Sequence, residues 1–405
     1  MAAKGALISM SILVLNAGSS TLKFALFDEM ACDEHAGGAV DWQGASETAR
    51  LTFRSPSKTC EASDANVVNY EDAVRWILQS LRHNGFNDPI RMVGHRLVHG
   101  GIEFRQPTIV DARVYQLLES VSGLAPLHNP HALITINATR CVLPDAVQAA
   151  SFDTAFFAEL PARTFIYPVP YEWYEQYGIR RFGFHGISHA YCTTRAAELL
   201  NRQNDPSLCL VICHLGNGCS ATAVRGGHPV ATTMGFTPLE GLMMGTRSGS
   251  IDPGIMLHLL REQGFVADQL ADALNHRSGL LGVSNVSSDF REVQQAADSG
   301  NDRAQLAIEM FADRIRSTIG SLAVTLGGVD ALVFTAGIGE HSYQLRRLVL
   351  NGLECLGLQL DEDKNQHCRA DCEIASNQSS GRILVIHTRE EQMIARETHQ
   401  LLINH

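Results

Sequence analysis

Apolar runs that meet short turns of small polar residues occur once in each half of the chain. The first runs over residues 13–15, the polar turn covers residues 16–21, and a second apolar run covers residues 22–27. The same order returns around residues 208–224, with a Gly/Asn/Ser turn in the middle. Each pattern predicts a strand, a tight turn and a second strand. One such device per half predicts two related domains that face each other across a cleft.

Periodic apolar positions predict helices between further strands. Helices are predicted over residues 71–83, 111–122, 188–201 and 302–326 and from Glu390 to the end, and strands over residues 331–334 and 383–386. Ser188 is the expected N-cap of its helix, and a small-residue turn is expected over residues 335–340. Residues 28–70 are polar with short β-like pieces, which predicts a peripheral excursion. Strands that alternate with helices indicate an α/β fold.

Composition narrows the class of protein. A chain of 405 residues with 45% hydrophobic residues favours two globular domains. The formal net charge of −11 argues against nucleic-acid binding by bulk charge, and no apolar run is long enough for a membrane span. Lys4 and the apolar residues after it resemble a secretory signal, which we interpret as a short leader before the first strand. We therefore expect a cytoplasmic protein.

Cysteine usage agrees with that compartment. The ten cysteines follow no disulfide framework, and several lie in apolar strands as small core residues. Cys368 and Cys372 beside His367 have no second pair at metal-binding spacing, so a structural zinc site is not expected.

Candidate anion chemistry is concentrated at the turns and at three arginine-bearing strings. Small residues in the turn 16–21 let backbone N–H groups approach a phosphate, and Lys23 adds a charge, although an ordinary polar hairpin fits equally well. Arg96, Arg181 and Arg247 stand among glycines, which leaves room for bidentate binding of an oxyanion. A single arginine of this kind is more often a surface residue or a structural ion pair, but three in one chain favour an anion site.

Three further side chains carry candidate chemistry. His185 lies between glycines, beside an aromatic residue and two arginines, and a structural role for it stays open. Asp153 and Glu390 could be a magnesium-linked carboxylate and an orienting acid. The alternatives are a helix cap for Asp153 and a first-turn acid favoured by the helix dipole for Glu390.

Taken together, these motifs resemble the acetokinase family of the sugar kinase/Hsp70/actin superfamily over roughly residues 11 to 400. The strings that carry the resemblance are NAGSSTLK, VGHRLVHGG, LAPLHNP, FDTAF, GIRRFGFHGISH, HLGNGCS, MGFTPLEGLMMGTRSG and FTAGIGE. The resemblance implies an α/β protein with two ribonuclease H-like (actin-like ATPase) domains flanking a nucleotide cleft. We expect one domain to comprise residues 1–153 and 388–405 and the other to comprise residues 154–387.

The resemblance also implies a reaction and its participants. The γ-phosphate of ATP would pass reversibly and directly to acetate, giving acetyl phosphate and ADP. Mg²⁺ would be the cofactor, with Mn²⁺ as an alternative, and the protein would be a homodimer. A propionate kinase on the same fold is the alternative function. A sugar kinase and a non-catalytic nucleotide switch are more distant rivals.

Residue roles follow by position within the matching motifs. Catalysis would fall to Arg96, Asp153, His185 and Arg247. The acceptor would meet Arg96, Val98, Leu127, Phe184 and Pro238. The nucleotide would meet Lys23, His214, Leu215, Gly216, Asn217, Gly218, Asp289, Phe290, Arg291, Gly337, Ile338, Gly339, Glu340 and His341. The metal would be held by Asn16 and Glu390.

The charge of the acceptor bears on the role expected for Asp153. A short carboxylate is already ionised at neutral pH, so its attack on phosphorus needs no general base. Asp153 is therefore expected to orient Arg96 or the metal shell. The family commonly has other residues where Phe157, Ser250, His341 and Arg389 stand, which leaves nucleotide preference open.

Overall fold

The computed structural model describes residues 11–31, 33–42, 48–64, 66–126 and 128–403. The leader predicted over the first residues and the acceptor-site residue Leu127 lie outside this described part. The chain forms two compact units. The first ends at Ala155 and resumes at Arg389, and the second is Phe156–Thr388.

A mixed sheet forms the centre of the first unit. Its strands in the described chain are β1 (Ser11–Ala17), β2 (Thr21–Asp28), β3 (Glu34–Asp41), β4 (Ala49–Ser55), β5 (Lys58–Asp64), β6 (Ile90–Leu97), β7 (Thr108–Ile109) and β8 (Val147–Phe152), in the sheet order 5-4-3-2-1-6-8-7. Strands β1 and β2 form the predicted antiparallel hairpin, while β1, β6 and β8 run parallel. Within the polar stretch 28–70, the strands β3, β4 and β5 extend this sheet, so the described part of the stretch is more regular than predicted.

Helices α1 (Tyr70–His83), α2 (Ala112–Val121) and α3 (Asn129–Val142) belong to the same unit, which confirms the helices predicted over residues 71–83 and 111–122. Asn69 caps α1 by accepting a hydrogen bond from the backbone N–H of Asp72. The apolar face of α1, including Val74 and Ile77, packs with the inward side chains of β1 and β2 in one core.

The second unit repeats the central topology of the first. Its described strands are β9 (Cys209–Leu215), β10 (Cys219–Arg225), β11 (His228–Thr232), β12 (Ala331–Thr335), β13 (Cys372–Glu373) and β14 (Arg382–Val385). Their order is 11-10-9-12-14-13. The antiparallel pair β9–β10 and the parallel strands β9, β12 and β14 correspond to β1–β2 and to β1, β6 and β8. This correspondence confirms the two related α/β units predicted from the paired turns.

Helices of the second unit connect and cover these strands. They are α4 (Ala162–Phe165), α5 (Glu172–Tyr177), α6 (Gly186–Leu199), α7 (Pro253–Glu262), α8 (Ala267–His276), α9 (Gly279–Ser284), α10 (Phe290–Asp298), α11 (Asp302–Leu326), α12 (Ala336–His341), α13 (Tyr343–Leu350) and α14 (Glu362–His367). The long helix α11 has the bounds predicted from its apolar spacing. Its left-handed C-cap is Gly327, which tolerates a φ of 74°.

Two local predictions were wrong. Ser188 does not cap α6, because the helix begins at Gly186 and the preceding His185 takes the left-handed φ of 59°. Residues 336–341 form the short helix α12 directly after β12, where a turn was predicted. The buried carboxylate of Glu340 accepts a hydrogen bond from the backbone N–H of Ala336, which satisfies a donor at the start of this helix.

The closing helix α15 (Glu390–Ile403) returns to the first unit and packs on β1, β6 and β8. Gly94 on β6 permits this close approach. A β-carbon at that position would lie 2.5 Å from Thr398 Oγ1 and 2.8 Å from Ile394 Cγ2. The helix predicted from Glu390 is thereby confirmed, and its first residue lies at the carboxyl ends of the parallel strands.

Cys368 and Cys372 form a disulfide. The expectation of reduced thiols is therefore wrong at this pair. In the part of the chain that the structure describes, no helix is both long and apolar enough to cross a membrane.

Candidate active site

Parallel strands bring three predicted site residues to one edge of the first sheet. In the pairing of β1 with β6, Leu15 lies opposite His95, so Asn16 and Arg96 follow at the same level. Arg96 lies opposite Ser151 on β8, and Asp153 comes just after that strand ends. The backbone N–H of Asp153 donates to the carbonyl of Leu97, which fixes the aspartate beside β6.

Two carboxylates surround the Arg96 guanidinium. Asp153 is 1% exposed and accepts hydrogen bonds of 3.1 Å from Nε and 2.7 Å from Nη2 of Arg96. Glu390 Oε2 lies 3.5 Å from Nη1. Burial by itself lowers the pKa of Arg96, but the two carboxylates outweigh burial and raise that pKa above its ordinary value. Arg96 is thus a fixed cation with a restricted orientation.

The polar hairpin of the first unit holds Asn16 and Lys23 opposite each other across β1 and β2. Its turn is closed by a 2.8 Å hydrogen bond from Gly18 N–H to the Thr21 carbonyl. Tyr70 donates a further 2.5 Å bond to the Gly18 carbonyl. Asn16 is half-buried while Lys23 is exposed, so the lysine retains the freedom to reach an anion.

Val98 lies just beyond the end of β6, in a bend, and is half-buried. The predicted acceptor residues Phe184 and Pro238 belong to the second unit. Phe184 is buried, and the carbonyl of Pro238 accepts a 3.3 Å hydrogen bond from Nη1 of Arg247.

In the second unit, His185 and Arg247 converge on the tip of the β9–β10 hairpin. A β-carbon built on Gly218 would lie 3.3 Å from His185 Nε2 and 3.7 Å from Arg247 Nη1. The absence of a side chain at Gly218 therefore leaves space beside both nitrogen atoms. The imidazole of His185 also stacks on that of His214, with ring centroids 4.1 Å apart.

Arg247 differs from Arg96 in its electrostatic surroundings. Within the described chain no carboxylate forms a salt bridge with Arg247, and burial lowers its pKa. A half-buried cation without a carboxylate salt bridge gains stabilisation from a bound anion. Arg247 is therefore the stronger candidate for direct contact with a phosphoryl group.

Gly245, two residues before Arg247, is hydrogen-bonded to the tip of the β9–β10 hairpin. The N–H of Gly245 donates a 3.0 Å hydrogen bond to the carbonyl of Asn217, and the N–H of Gly216 donates to the carbonyl of Gly218. A β-carbon on Gly245 would overlap Asn217 Oδ1, so this contact requires glycine. The second predicted phosphate turn is thereby hydrogen-bonded to the segment that precedes Arg247.

A cavity of about 780 Å³ lies within the second unit, beside this turn. Its described lining includes eight residues of the predicted nucleotide set, namely Gly216, Asn217, Asp289, Phe290, Arg291, Gly337, Ile338 and His341. Asp289 caps α10 through a 2.8 Å bond from Arg291 N–H, and the exposed Arg291 guanidinium folds back onto the same carboxylate. The volume falls in the range of small-molecule binding sites.

The other predicted nucleotide residues lie elsewhere. Leu215, Gly339 and Glu340 are buried, and Oε2 of Glu340 lies 2.7 Å from Nδ1 of His387. His214 is buried against Ser188, whose Oγ lies 2.8 Å from Nδ1. Gly218 belongs to the hairpin tip and Lys23 to the first unit. Direct nucleotide contact by these residues stays a prediction.

Sequence reasoning missed several polar residues around these sites. Ser288, Gln294, Gln295, Asp298, Ser342 and Gln344 also line the cavity. Their positions on α10 and near α13 have an ordinary surface pattern, so no sequence signal separated them. Ser220 was missed because it lies in an apparently apolar strand, although it contacts both His185 and His189.

A hydrogen-bonded cluster that we name the Glu240 network was also missed. It consists of Tyr167, Arg181 and Glu240. Arg181 donates to Glu240 Oε1 at 2.6 Å and to the carbonyls of Thr233 and Met234, while the Tyr167 hydroxyl donates to Glu240 Oε2. The network connects the segment before His185 to the segment that carries Pro238 and Arg247.

The donors at the edge of the first sheet fit a magnesium ion. Asn16 and Glu390 offer oxygen atoms, which Mg²⁺ prefers, and Mg²⁺ is commonly held by one or two carboxylates together with substrate phosphates. Among the described residues no cluster of three His, Cys, Asp or Glu side chains could hold a metal alone. Mg²⁺ held by these two oxygen donors would take its other ligands from water or substrate phosphates.

Comparison with known proteins gives one consistent result. The profile of the Acetokinase family matches residues 11–396. An acetate kinase from Cyanothece sp. is 47% identical over 405 residues, covering 97% of this chain and 98% of the relative. The crystal structure of Porphyromonas gingivalis acetate kinase has a TM-score of 0.90 at 38% identity, covering 97% of this chain and 100% of that one. A propionate kinase from Francisella tularensis has a TM-score of 0.90 at 37% identity, covering 96% of this chain and 99% of that one.

Proposed function

We propose that this chain, which belongs to the acetokinase family, transfers the γ-phosphate of ATP reversibly to acetate. The products are acetyl phosphate and ADP. The observation that carries this proposal is the convergence of Arg247 and His185 on the glycine tip of the β9–β10 hairpin. The cavity beside this tip has a volume suited to a nucleotide. We also propose that the two compact units are the two actin-like domains of the family.

The proposed step is an in-line displacement at phosphorus. One acetate oxygen attacks the γ-phosphorus while the bond to the bridging oxygen of ADP breaks, and no proton is transferred. Because two anions must approach each other, the protein's main task is to position and neutralise them. Arg247 would bind the equatorial oxygens of the phosphoryl group, and His185 would donate a hydrogen bond to one of them.

Arg96 would hold the acetate carboxylate. Its bidentate pairing with Asp153 fixes the plane of the guanidinium and leaves Nη1 toward Glu390. This geometry supports an orienting role for Asp153, because a carboxylate engaged by two N–H donors is poorly placed to act as a base. Orientation of this kind matters because small misplacements of reacting groups cost large factors in rate.

Magnesium would be held by oxygen atoms of Asn16 and Glu390 together with the nucleotide phosphates. When bound, it would supply positive charge to the β- and γ-phosphates and lower their repulsion of the incoming carboxylate. Mn²⁺ prefers similar oxygen ligands and would be expected to substitute.

The acceptor is distinguished from a sugar by the side chains proposed to meet it. Val98, Phe184 and Pro238 are apolar, which suits a methyl group and offers no partner for sugar hydroxyls. Leu127 is assigned to the acceptor by its position in the matching motif alone. Propionate is the alternative acceptor, because one structural relative is a propionate kinase, but the acetate kinases among the relatives favour acetate.

Trapping of the product as a hydroxamate tests the proposal. With ATP, Mg²⁺, acetate and hydroxylamine, acyl hydroxamate should accumulate in proportion to the ADP formed. A sugar kinase would instead release ADP with a hexose and give no hydroxamate. A nucleotide switch would bind ATP without acceptor-dependent turnover. Either of these two outcomes would contradict the assignment.

We further propose a cytoplasmic homodimer. The cytoplasm supplies ATP and short carboxylates. Helix α7 supports self-association, because it has no buried residue and leaves Ile255, Leu257 and Leu260 each more than 40% exposed. Sedimentation equilibrium should give twice the chain mass, and Leu257→Glu should shift the protein toward monomer.

A further inference from the structure

A buried serine connects two histidines in the second unit. Ser220 on β10 is completely buried, and its Oγ lies 3.0 Å from Nδ1 of His185 and 2.7 Å from Nε2 of His189. The two histidines stand four residues apart, at and just inside the start of α6, so both rings point toward the same strand. The hydroxyl therefore contacts both imidazoles at hydrogen-bonding distance.

A hydroxyl group has one proton to donate. Among the described residues Ser220 Oγ has no hydrogen-bond partner other than these two ring nitrogens, so it donates to one histidine and accepts from the other. In the first arrangement Ser220 donates to His189 and accepts from His185. In the second arrangement it donates to His185 and accepts from His189. These arrangements place the proton of a neutral His185 on opposite ring nitrogens.

The surroundings of His189 select the second arrangement. Its ring is completely buried, and among the residues that the structure describes Nδ1 has no hydrogen-bond partner. Burial lowers the pKa of His189 well below its ordinary value, so the ring is neutral and carries one N–H. A buried N–H without an acceptor is rare and costly, whereas an unpaired acceptor is tolerated more often. The proton of His189 therefore lies on Nε2 and is donated to Ser220.

The remaining proton assignments follow from that one. Because Ser220 accepts from His189, its hydroxyl proton is directed to Nδ1 of His185. A neutral His185 then holds its own proton on Nε2, the nitrogen that lies beside Gly218 and near Arg247. We propose that Ser220, oriented by His189, fixes His185 in the Nε2–H tautomer, so that His185 presents a hydrogen-bond donor to the phosphoryl group. The identity of the group that receives this hydrogen bond rests on the proposed function, but the tautomer does not.

Nitrogen NMR on the histidine-labelled protein tests the tautomer directly. At pH 8, long-range ¹H–¹⁵N spectra should show a protonated Nε2 and an unprotonated Nδ1 for His185, and the same pattern for His189. His185→Gln and His189→Gln spectra assign the signals. Protonation of His185 on Nδ1, or of His189 on Nδ1, would overturn the proposal. Because the spectrum requires no turnover, this result stands apart from any failure of the acetate assay.

Activity measurements test the consequence. Ser220→Ala should lower kcat on the order of 10- to 100-fold, as expected when the partner that orients a functional histidine is removed, with the KM for ATP within about twofold. Its spectrum should show mixed tautomers of His185. Thr222→Val is the matched control, because Thr222 is a buried hydroxyl on the same strand that pairs with Thr232, and it should retain kcat within about twofold. Wild-type kcat and an unchanged His185 spectrum in Ser220→Ala would overturn the proposal. If Ser220→Ala does not fold, the wild-type spectrum alone decides.

Discussion

At the scale of single residues, the two arginines proposed to bind anions have different electrostatic surroundings. Arg96 is held by Asp153 and Glu390, whereas burial of Arg247 is not offset by a carboxylate salt bridge in the described chain. An arginine of the first kind is suited to orientation, and one of the second kind to direct binding of a phosphoryl group. Loss of Arg247 should therefore affect the chemical step more than nucleotide affinity.

Arg247→Ala is expected to lower kcat about 10²- to 10⁴-fold, because a donor to the transferred phosphoryl oxygens is lost. Arg247→Lys should recover little activity, since an ammonium group cannot reproduce the planar fork. Steady-state kinetics with acetate and ATP measure both variants. Turnover close to wild type in Arg247→Ala would contradict the assignment.

Asp153→Asn separates orientation from proton transfer. The amide cannot accept two hydrogen bonds from Arg96 with the charge of a carboxylate, so kcat should stay low across the whole pH range. Added small-molecule bases should not restore it. A rate profile measured with and without imidazole or formate checks this expectation, and recovery with added base would show that Asp153 abstracts a proton.

At the scale of elements, the Glu240 network joins three separate segments of the second unit. Arg181 precedes His185, and Glu240 lies between Pro238 and Arg247. The Tyr167 hydroxyl also accepts a 2.9 Å bond from the N–H of Phe236. Burial raises the pKa of Tyr167, so this hydroxyl stays protonated and donates to Glu240. A β-carbon on Gly235 would collide with both Tyr167 and Glu240, so this packing requires glycine.

Tyr167→Phe should loosen the segment that carries Pro238 and Arg247. We expect faster hydrogen exchange in peptides covering residues 234–247 and a KM for acetate about 3- to 10-fold higher, with the KM for ATP little changed. Tyr171→Phe removes the hydroxyl of a nearby exposed tyrosine and should leave exchange and kinetics unchanged. Equal exchange in Tyr167→Phe and wild type would show that the network does not restrain the segment.

Elements were predictable from sequence where local pattern decides them. The apolar runs around residues 16–21 and 216–218 fixed both hairpins, and the spacing of Ile308, Phe311 and Ile315 fixed α11. The start of α6 was not predictable, because Ser188 is a good cap by type but its hydroxyl is used by His214 and Thr388. Local propensity cannot reveal such a contact between residues distant in sequence.

At the scale of the whole molecule, the candidate site also depends on contacts between distant residues that local sequence patterns do not reveal. The arginine, histidine and glycine strings indicated Arg96, His185 and Arg247 as candidates, and their roles stay predictions. Ser220 and Glu240 were not predicted, because their hydrogen bonds join residues that are distant in sequence. The residues that orient the site were therefore harder to predict than those assigned to the chemistry.

We expect the free energy of unfolding to depend on pH through His95. This histidine is 1% exposed on β6 and bonds to Gln148 at 2.8 Å, and burial lowers its pKa to about 4. Its unfolded pKa is about 6.5. The unfolded chain therefore binds a proton first, and the stabilisation present above pH 6.5 is lost as the pH falls toward 4.

A comparison of melting temperatures at pH 7.5 and 5 measures this dependence. Between these pH values, protonation of His95 should lower the free energy of unfolding by about 1–3 kcal/mol, since each pKa unit corresponds to about 1.4 kcal/mol. His95→Gln cannot be protonated in this range, so its melting temperature should fall less between the two pH values. An equal fall in variant and wild type would show that His95 contributes no pH dependence.

Acceptor selectivity is the sharpest test of the proposal that this chain phosphorylates acetate. The measurement is kcat/KM for acetate and for propionate, with ATP and Mg²⁺ at saturation and acyl phosphate trapped as hydroxamate. One additional methylene changes discrimination by about 1–3 kcal/mol. We therefore expect that both acids react and that kcat/KM for acetate is higher by about tenfold or more. A higher kcat/KM for propionate, or no acyl phosphate from either acid, would contradict the proposal.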